Sequence, residues 1–442
     1  MKRIYSLIAA ALLLVVFTSA QAQETWSLQK CIDYALQNNI QIKQQKLNSD
    51  YYTNQHQQAK YNRLPNLNST IQNNTSFGRS LGPDNTYLDI NSNSTYGSIS
   101  TNVTVWNGFT LNNSAKVAEM DLRASLEEMQ KAKEDMMLNI AASYLEILFA
   151  DELVLVAEDL LKITQLQIER TGKLVDAGSL AKGNLLEMEA QFAREELNVV
   201  NAQNRLQLAY LALYQLLELP STESFRIEKP NLPEIGANMT LLNSMDVFKN
   251  AVQLRPAVKG AEFKLESARK QLLVAKGNLL PSLSFGANYN NFYQHLYNYP
   301  NVALKNQFKG NQRYGFGATL SIPIFNRFQT RTGVSNAQIQ LENYEFQLQN
   351  TKNLLRKDIE QAYTNALAAF KRYIANQKAV VSSKEAFRYT EEKFNVGMIN
   401  SVEYDQSKNN LSKAQSDLLQ AKYEYIFRTK ILDFYNGIPI EL

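Results

Sequence analysis

The sequence predicts a mostly α chain with a transmembrane β-barrel part, built from one helix–strand–strand–helix–helix unit used twice. Three observations carry this. Residues 35–67 lie over 251–283 at a shift of 216 without a gap, with ten identities in 33 positions. Two stretches of some 65 residues, near 111–176 and 328–395, read as uninterrupted helix, in keeping with only 10 prolines and 17 glycines in 442 residues. Four shorter stretches alternate apolar residues with small or polar ones.

Taken in order, Lys2-Arg3, the apolar run Ile8 to Val16 and Ala20-Gln21-Ala22 form a secretory signal peptide over 1–22, cut after Ala22 to leave Gln23 first. The run is shorter than the ~20 residues that span a bilayer. Cys31 follows Leu28-Gln29-Lys30, too far on to be a lipoprotein acceptor. The first repeat, 23–219, opens with a helix over 28–62, where Leu28, Ile32, Ala35, Leu36 and Ile40 recur at three and four and Pro65 stops the pattern. Strands follow at about 64–77 and 96–107, then helices over 111–176 and 184–218. A linker at 220–239, with Pro220, Pro230 and Pro233, separates the repeats. The second repeat, 240–442, carries helices near 242–279, 328–395 and 401–436 and strands at about 280–292 and 313–325. Ala59-Lys60-x-Asn62-x-Leu64-Pro65 returns as Ala275-Lys276-x-Asn278-x-Leu280-Pro281, and Gly178 returns as Gly397 at a shift of 219. At 1.5 Å per residue a long helix spans roughly 97 Å and each short one roughly 52 Å, so two short helices end to end match one long helix. Such rods need neighbours along their whole length.

The strands give the membrane signal. Tyr314, Phe316, Ala318, Leu320, Ile322 and Ile324 share one face, opposite Gly315, Gly317, Thr319 and Ser321. Leu283, Phe285, Ala287 and Tyr289 alternate with Ser284, Gly286, Asn288 and Asn290, and Ile99, Thr101, Val103 and Val105 with Ser98, Ser100, Asn102 and Thr104. Residues 64–77 are the weakest of the four. Ten-residue segments of this kind suit a barrel with a wet lumen; a soluble two-sided sheet is the alternative. Because an open edge cannot stand in lipid and known barrels start at about eight strands, four strands per chain require a barrel shared between chains, eight for two or twelve for three. The connections at 78–95 and 293–312 then face outward.

Composition excludes other classes. With 45% hydrophobic and 20% charged residues and a mean hydropathy of −0.34, the chain is too polar for a helical membrane protein. Its net charge of +4, or +2 without Lys2 and Arg3, leaves no footprint for nucleic acid. Two histidines, His56 and His295, and one cysteine offer little for catalysis, and no phosphate loop or nucleophile elbow is present. The sequence asks for no cofactor and no metal.

At Leu28-x-x-Cys31-Ile32-x-x-Ala35-Leu36-x-x-Asn39, at Leu242 to Pro256, at Leu64-Pro65 and Leu280-Pro281 and at the Gly-centred helix turns, the sequence resembles the TolC-type outer-membrane efflux family. The resemblance covers residues 24–438. It implies a homotrimer whose protomers give four strands each to a 12-stranded β-barrel among outer-membrane lipid, continued by a long periplasmic α-helical coiled-coil barrel. It implies no enzymatic activity but an exit duct, joined to an inner-membrane pump through a periplasmic adaptor. Carried over, Ala177, Gly178, Ser179 and Leu180 with Val396, Gly397 and Met398 become the adaptor-contact tips. The glycines also have a plain structural task, since a left-handed residue stops a helix.

The same resemblance makes Phe394, Ile399, Glu403 and Gln406 the periplasmic gate. Three copies of Glu403 would ring the pore axis and favour cations; Asn400-x-x-Glu403 also reads as a capping box. Gln406 is neutral where some members carry a second acid. Phe394 and Ile399 stand where better-known members have a tyrosine and an arginine, so a closure by packing and dewetting replaces their polar latch. A secreted coiled-coil tether and a stand-alone diffusion porin are the rival readings. Nothing in the sequence names the cargo.

Overall fold

The computed structural model describes residues 25–81, 85–219, 225–230, 235–236, 241–297 and 299–440. The expected leader and its cleavage after Ala22 lie outside them, as does most of the expected linker. The described elements run β1 (Thr25–Trp26), α1 (Leu28–Asn38), α2 (Ile40–Tyr61), β2 (Asn68–Ser76), β3 (Arg79–Leu81), β4 (Tyr87–Asp89), β5 (Ser92–Trp106), α3 (Thr110–Asp176), α4 (Lys182–Leu217), β6 (Arg226–Ile227), α5 (Ser244–Leu254), α6 (Pro256–Gly277), β7 (Ser282–Leu296), α7 (Leu304–Gly310), β8 (Arg313–Ser321), α8 (Gln329–Asn395) and α9 (Ser401–Tyr435).

The duplication is explicit in these bounds. α1 and α5 have 11 residues each, α2 and α6 have 22, and α3 and α8 have 67. Where one helix was expected over 28–62, and one over 242–279, each repeat has two. Asn39 and Arg255 carry the breaks, with ψ of 134° and 129°. Pro256 accounts for the second, because a residue before proline is driven to extended backbone and proline suits a helix's first position. At the first, the Asn39 side chain substitutes for proline. Its Oδ1 accepts from Gln41 N at 2.8 Å, capping α2, and its Nδ2 donates to Leu216 O at 3.0 Å.

The chain divides into two compact units, one of Met1–Lys46, Glu128–Val258 and Thr351–Leu442, the other of Leu47–Glu127 and Lys259–Asn350. The first is helical. Its core joins Cys31, Ile32 and Ala35 of α1 to Ile140, Tyr144 and Ile147 of α3, Leu213 and Leu217 of α4, and Ile426 and Phe434 of α9. β1 and β6 pair in parallel at its margin, and the Tyr144 hydroxyl donates to Glu228 O at 2.6 Å. Among the described residues no helix is long and apolar enough to cross a membrane.

The second unit holds the antiparallel sheet β2–β5–β7–β8. Its two hairpins share one register. Asn68 pairs with Ser100, and shifting these by 216 and 219 gives Ser284 and Thr319, which also pair. Two strands run further outward than expected, β5 beginning at Ser92 and β7 ending at Leu296, because Asn and Thr residues assigned to wet loops form ladder pairs. β8 stops at Ser321, short of 325, since Pro323 has no N–H for a ladder. The outward connections contain the β3–β4 hairpin and α7, neither of which was expected.

Candidate channel wall and gate

The sheet's two faces differ as a membrane wall requires. Ladder pairs place Ile99 beside Tyr289 and Tyr314, Val103 beside Phe285 and Ala318, and Leu283 beside Leu320, all on one face. The other face carries Ser100, Asn288 and Gly315, then Asn102, Gly286 and Gly317. Along β8 the apolar side runs from Tyr314 to Leu320, six steps of about 3.3 Å, which at a tilt near 45° rises roughly 14 Å within a lipid-facing band about 25 Å tall. Phe316 is 83% exposed, as a side chain meant for lipid must be in a lone protomer. Toward the outer end this face turns polar, with its amides mutually satisfied. Asn73 Nδ2 donates to Asn93 Oδ1 at 2.9 Å and Asn93 Nδ2 to Asn73 Oδ1 at 3.0 Å.

Above Arg313, where β8 no longer covers it, the β7 edge is closed by side-chain amides. Gln307 accepts from Gln294 N and donates to Gln294 O, both at 2.9 Å, while Asn301 accepts from Leu296 N at 2.6 Å. Along the sheet itself, β2 and β8 each keep one edge unpaired among the described residues.

In the helical unit both helix–helix turns end on the same motif. Gly178 and Gly397 have φ of +73° and +76°. Gly178 N donates to Val175 O at 2.9 Å and Ser179 N to Leu174 O at 2.8 Å; Gly397 N donates to Phe394 O at 3.0 Å and Met398 N to Lys393 O at 2.9 Å. This paired 5→2 and 6→1 closure is a Schellman stop, whose left-handed residue favours glycine. Val396 and Met398 beside it are 70% and 73% exposed, and Ala177 and Ser179 are exposed too, while Leu180 is half-buried.

The expected gate residues divide. Glu403 and Gln406 are exposed on α9, and Ile399 is half-buried. Asn400 Oδ1 accepts from Glu403 N at 2.9 Å, so the capping role is real, yet the Glu403 carboxylate is left without a partner among the described residues. Gln406 donates to Asn410 Oδ1 at 3.2 Å. Phe394 packs within its own protomer, its ring 4.8 Å from that of Tyr404, which in turn lies 5.4 Å from Phe387.

A buried polar group next to these residues was not anticipated from the sequence. Lys408 on α9 is wholly buried and ion-paired with Glu195 on α4 at 3.0 Å. Burial is the largest single influence and works to raise the Glu195 carboxyl, but Lys408 together with the Asn198 and Gln191 amides outweighs it and holds the group below the usual carboxylate range. Nearby, Ser401 donates to Glu187, and Arg170 Nη2 on α3 donates to Asn395 O at 3.2 Å. The only sequence signal was a lysine at i+4 from Tyr404 and i−3 from Leu411, within an apolar stripe.

Comparison with known proteins follows the same lines. A family described as "Outer membrane efflux protein" matches residues 31–218 and 247–432, one stretch per repeat. "Outer membrane protein TolC" of Vibrio cholerae is 25% identical over 316 residues, covering 71% of this chain and 70% of that protein. "Toxin and drug export protein A" of Aggregatibacter actinomycetemcomitans is 21% identical over 336 residues, 75% of this chain and 70% of its own. Among solved structures, CusC superposes with a TM-score of 0.80 at 18% identity, over 93% of this chain and 92% of that one. VceC from Vibrio cholerae superposes at 0.76 and 17% identity, over 94% and 97%. Channels of this family form trimers and work with efflux-system partners. The chain belongs to the outer membrane efflux protein family of the TolC type: it is a non-enzymatic outer-membrane channel with a periplasmic helical extension.

Proposed function

We propose that three copies of this chain form one exit duct, driven by an inner-membrane pump through a periplasmic adaptor. Residues 1–22 are the leader, and 220–239 join the repeats 23–219 and 240–442. The adaptor seats on Ala177, Gly178, Ser179, Leu180, Val396, Gly397 and Met398. Glu403 and Gln406 line the closed end, and Phe394 and Ile399 close it by packing.

One observation supports a barrel shared between copies most: two unpaired edges on a sheet whose repeats obey a fixed shift. The β5–β7 ladder is the seam between repeats inside the chain. Moving its β5 side by 219 and its β7 side by −216 generates the seam between protomers. Ser100↔Asn288 becomes Thr319 against Gln72 of the next protomer, and Thr101↔Ala287 becomes Leu320 against Ile71. Thr95↔Tyr293 becomes Tyr314 against Phe77. The derived pairs keep polar residues on the lumen face and apolar ones on the lipid face. An open edge in lipid costs several kcal/mol per unpaired group, so the edges must meet.

Cross-linked affinity capture from intact envelopes, with a tag after Leu442 and identification by mass spectrometry, tests the partner assignment. An adaptor and a pump are expected, and the pump's class narrows the cargo. A trimer that comes down alone, under conditions that trap a known tripartite pump, removes the adaptor from the account and favours a diffusion porin.

A further inference from the structure

α9 buries one stripe and exposes another. Ser401, Tyr404, Lys408 and Leu411 recur at three and four and are buried, while Glu403 and Gln406 stand on the exposed side. Whatever fixes the rotation of the buried stripe therefore fixes where Glu403 points. Of those four buried residues Lys408 alone is charged. Its Nζ donates to Glu195 Oε1 on α4 at 3.0 Å and to Thr164 Oγ1 on α3 at 2.7 Å, so one ammonium ties three helices together. Glu195 also accepts from Gln191 at 2.8 Å and Asn198 at 3.2 Å.

The ammonium has a third N–H and a second carboxylate beside it. Asp405, on α9 itself, holds its Oδ1 at 4.0 Å from Lys408 Nζ, and that oxygen is buried without a hydrogen-bond partner. The gap exceeds a charge-assisted hydrogen bond by roughly 1 Å. Two carboxylates thus compete for one buried cation, Glu195 across the helices and Asp405 along α9.

We propose that Lys408 is a positioning residue of the gate, pinning α9 to α3 and α4, and that ionisation of Asp405 draws Lys408 away from Glu195 and frees α9 to turn. The proposal rests on Glu403 and Gln406 being the gate. With Asp405 neutral, Lys408 and Glu195 balance as a buried pair; with Asp405 charged, a second anion competes with Glu195 for Lys408, and Arg194 on α4 is the other cation acting on it. The charged groups acting on Asp405 are Lys408 on its own helix and Arg194, Glu195 and Glu187 on α4. α3 presents the uncharged Thr164, and Glu391 of α8 acts on the neighbouring Tyr404. Burial pushes the Asp405 carboxyl up to about 6, so its charge changes in mildly acidic conditions.

Planar-bilayer conductance of the reconstituted trimer, with the periplasmic side held at about pH 5 and then at about pH 8, reads the switch. The native channel is expected to conduct several-fold more at the higher pH. Asp405→Asn should keep the low conductance at both. Lys408→Met combined with Glu195→Gln, which strands neither buried charge, should conduct at the high level at both. A native channel indifferent to pH, an Asp405→Asn channel that still responds, or a double variant as closed as the native protein at pH 5 overturns the proposal. Glu403→Gln keeps the underlying reading separate. It should lower cation selectivity and leave the pH response intact, and unchanged selectivity beside an intact response would remove Glu403 from the gate while leaving the pin in place.

Discussion

Gly178 ends α3 and Gly397 ends α8 with φ values within a few degrees of each other and with the same pair of hydrogen bonds, yet the helices that follow do not bury the same side. α9 buries Tyr404, Lys408 and Leu411, whose counterparts 219 residues earlier are Leu185, Glu189 and Phe192. α4 instead buries Met188, Gln191 and Glu195, and Glu189 is exposed. α9 starts on an asparagine cap; α4 starts at Ala181 with no side-chain cap. Duplication preserved the backbone that a helix stop dictates, while the pattern of buried side chains diverged. One member of each pair was left with its own charges: Glu403 where the first repeat has Asn184, and a buried lysine where it has a glutamate.

The strand-to-helix turns show the same divergence. Gly108 and Phe109 have φ of 61° and 63°, and Arg327 and Phe328, their counterparts, 54° and 62°. A Cβ on Gly108 would meet Gly277 O at 2.5 Å, and one on Gly277 would meet Gly108 O at 2.6 Å. Glycine is required where two backbones meet inside the chain. At the counterpart turn an arginine tolerates the same left-handed backbone, at a strain of order 1 kcal/mol.

These contrasts can be broken by mutation. The largest effect belongs to Gly108→Ala, where strain and overlap together cost about 3–4 kcal/mol and the yield of heat-resistant trimer should collapse; Arg327→Gly, at the matching position, should raise its melting temperature. Next comes the charge proposed for the gate. Glu403→Gln should move the reversal potential in a salt gradient toward neutrality, whereas Asn184→Asp, which gives the first repeat the acid it lacks, should increase cation preference. Gly178→Ala and Gly397→Ala should each cost about 1–2 kcal/mol through backbone strain alone, because nothing lies within 4 Å of either new Cβ. Chemical denaturation reads both, and equal losses would confirm that the two stops are one device. Asn400→Ala should cost about 1 kcal/mol, while Ala181→Asn in the uncapped repeat should recover a similar amount.

Acidity sharpens the contrast further. The Asp405 carboxyl is raised from 3.8 to about 6, so the folded state holds a proton that the unfolded chain releases. Its contribution is fully present below the unfolded value and is lost as pH rises through about 6. Leu186, its counterpart, cannot contribute in this way. Asp405→Asn should therefore flatten the fall in melting temperature over that window.

Most of the architecture was legible because it rests on local rules. The absence of proline let two 67-residue helices be read from the chain, and alternation exposed the lipid face of β7 and β8. The break at Asn39 was missed because its cause is a side chain reaching Leu216, 177 residues away. α7 escaped notice because seven residues give too little periodicity, and its place depends on Gln307 meeting a strand edge. Lys408 reads as one more solvated lysine until Glu195 and Thr164 arrive from two other helices. Pattern reports what a residue does alone, and such sites are made of residues that act only together.

The seam between protomers closes the proposed barrel, and disulfide trapping reads it. With Thr319→Cys and Gln72→Cys in one chain, mild oxidation of intact outer membranes should yield a covalent trimer on denaturing gels. Thr319→Cys with Asn73→Cys, one residue out of register and on the opposite face, should not. A trimer that remains assembled but cross-links through the shifted pair, or through neither, would contradict the rule that repeats and protomers meet along the same ladder.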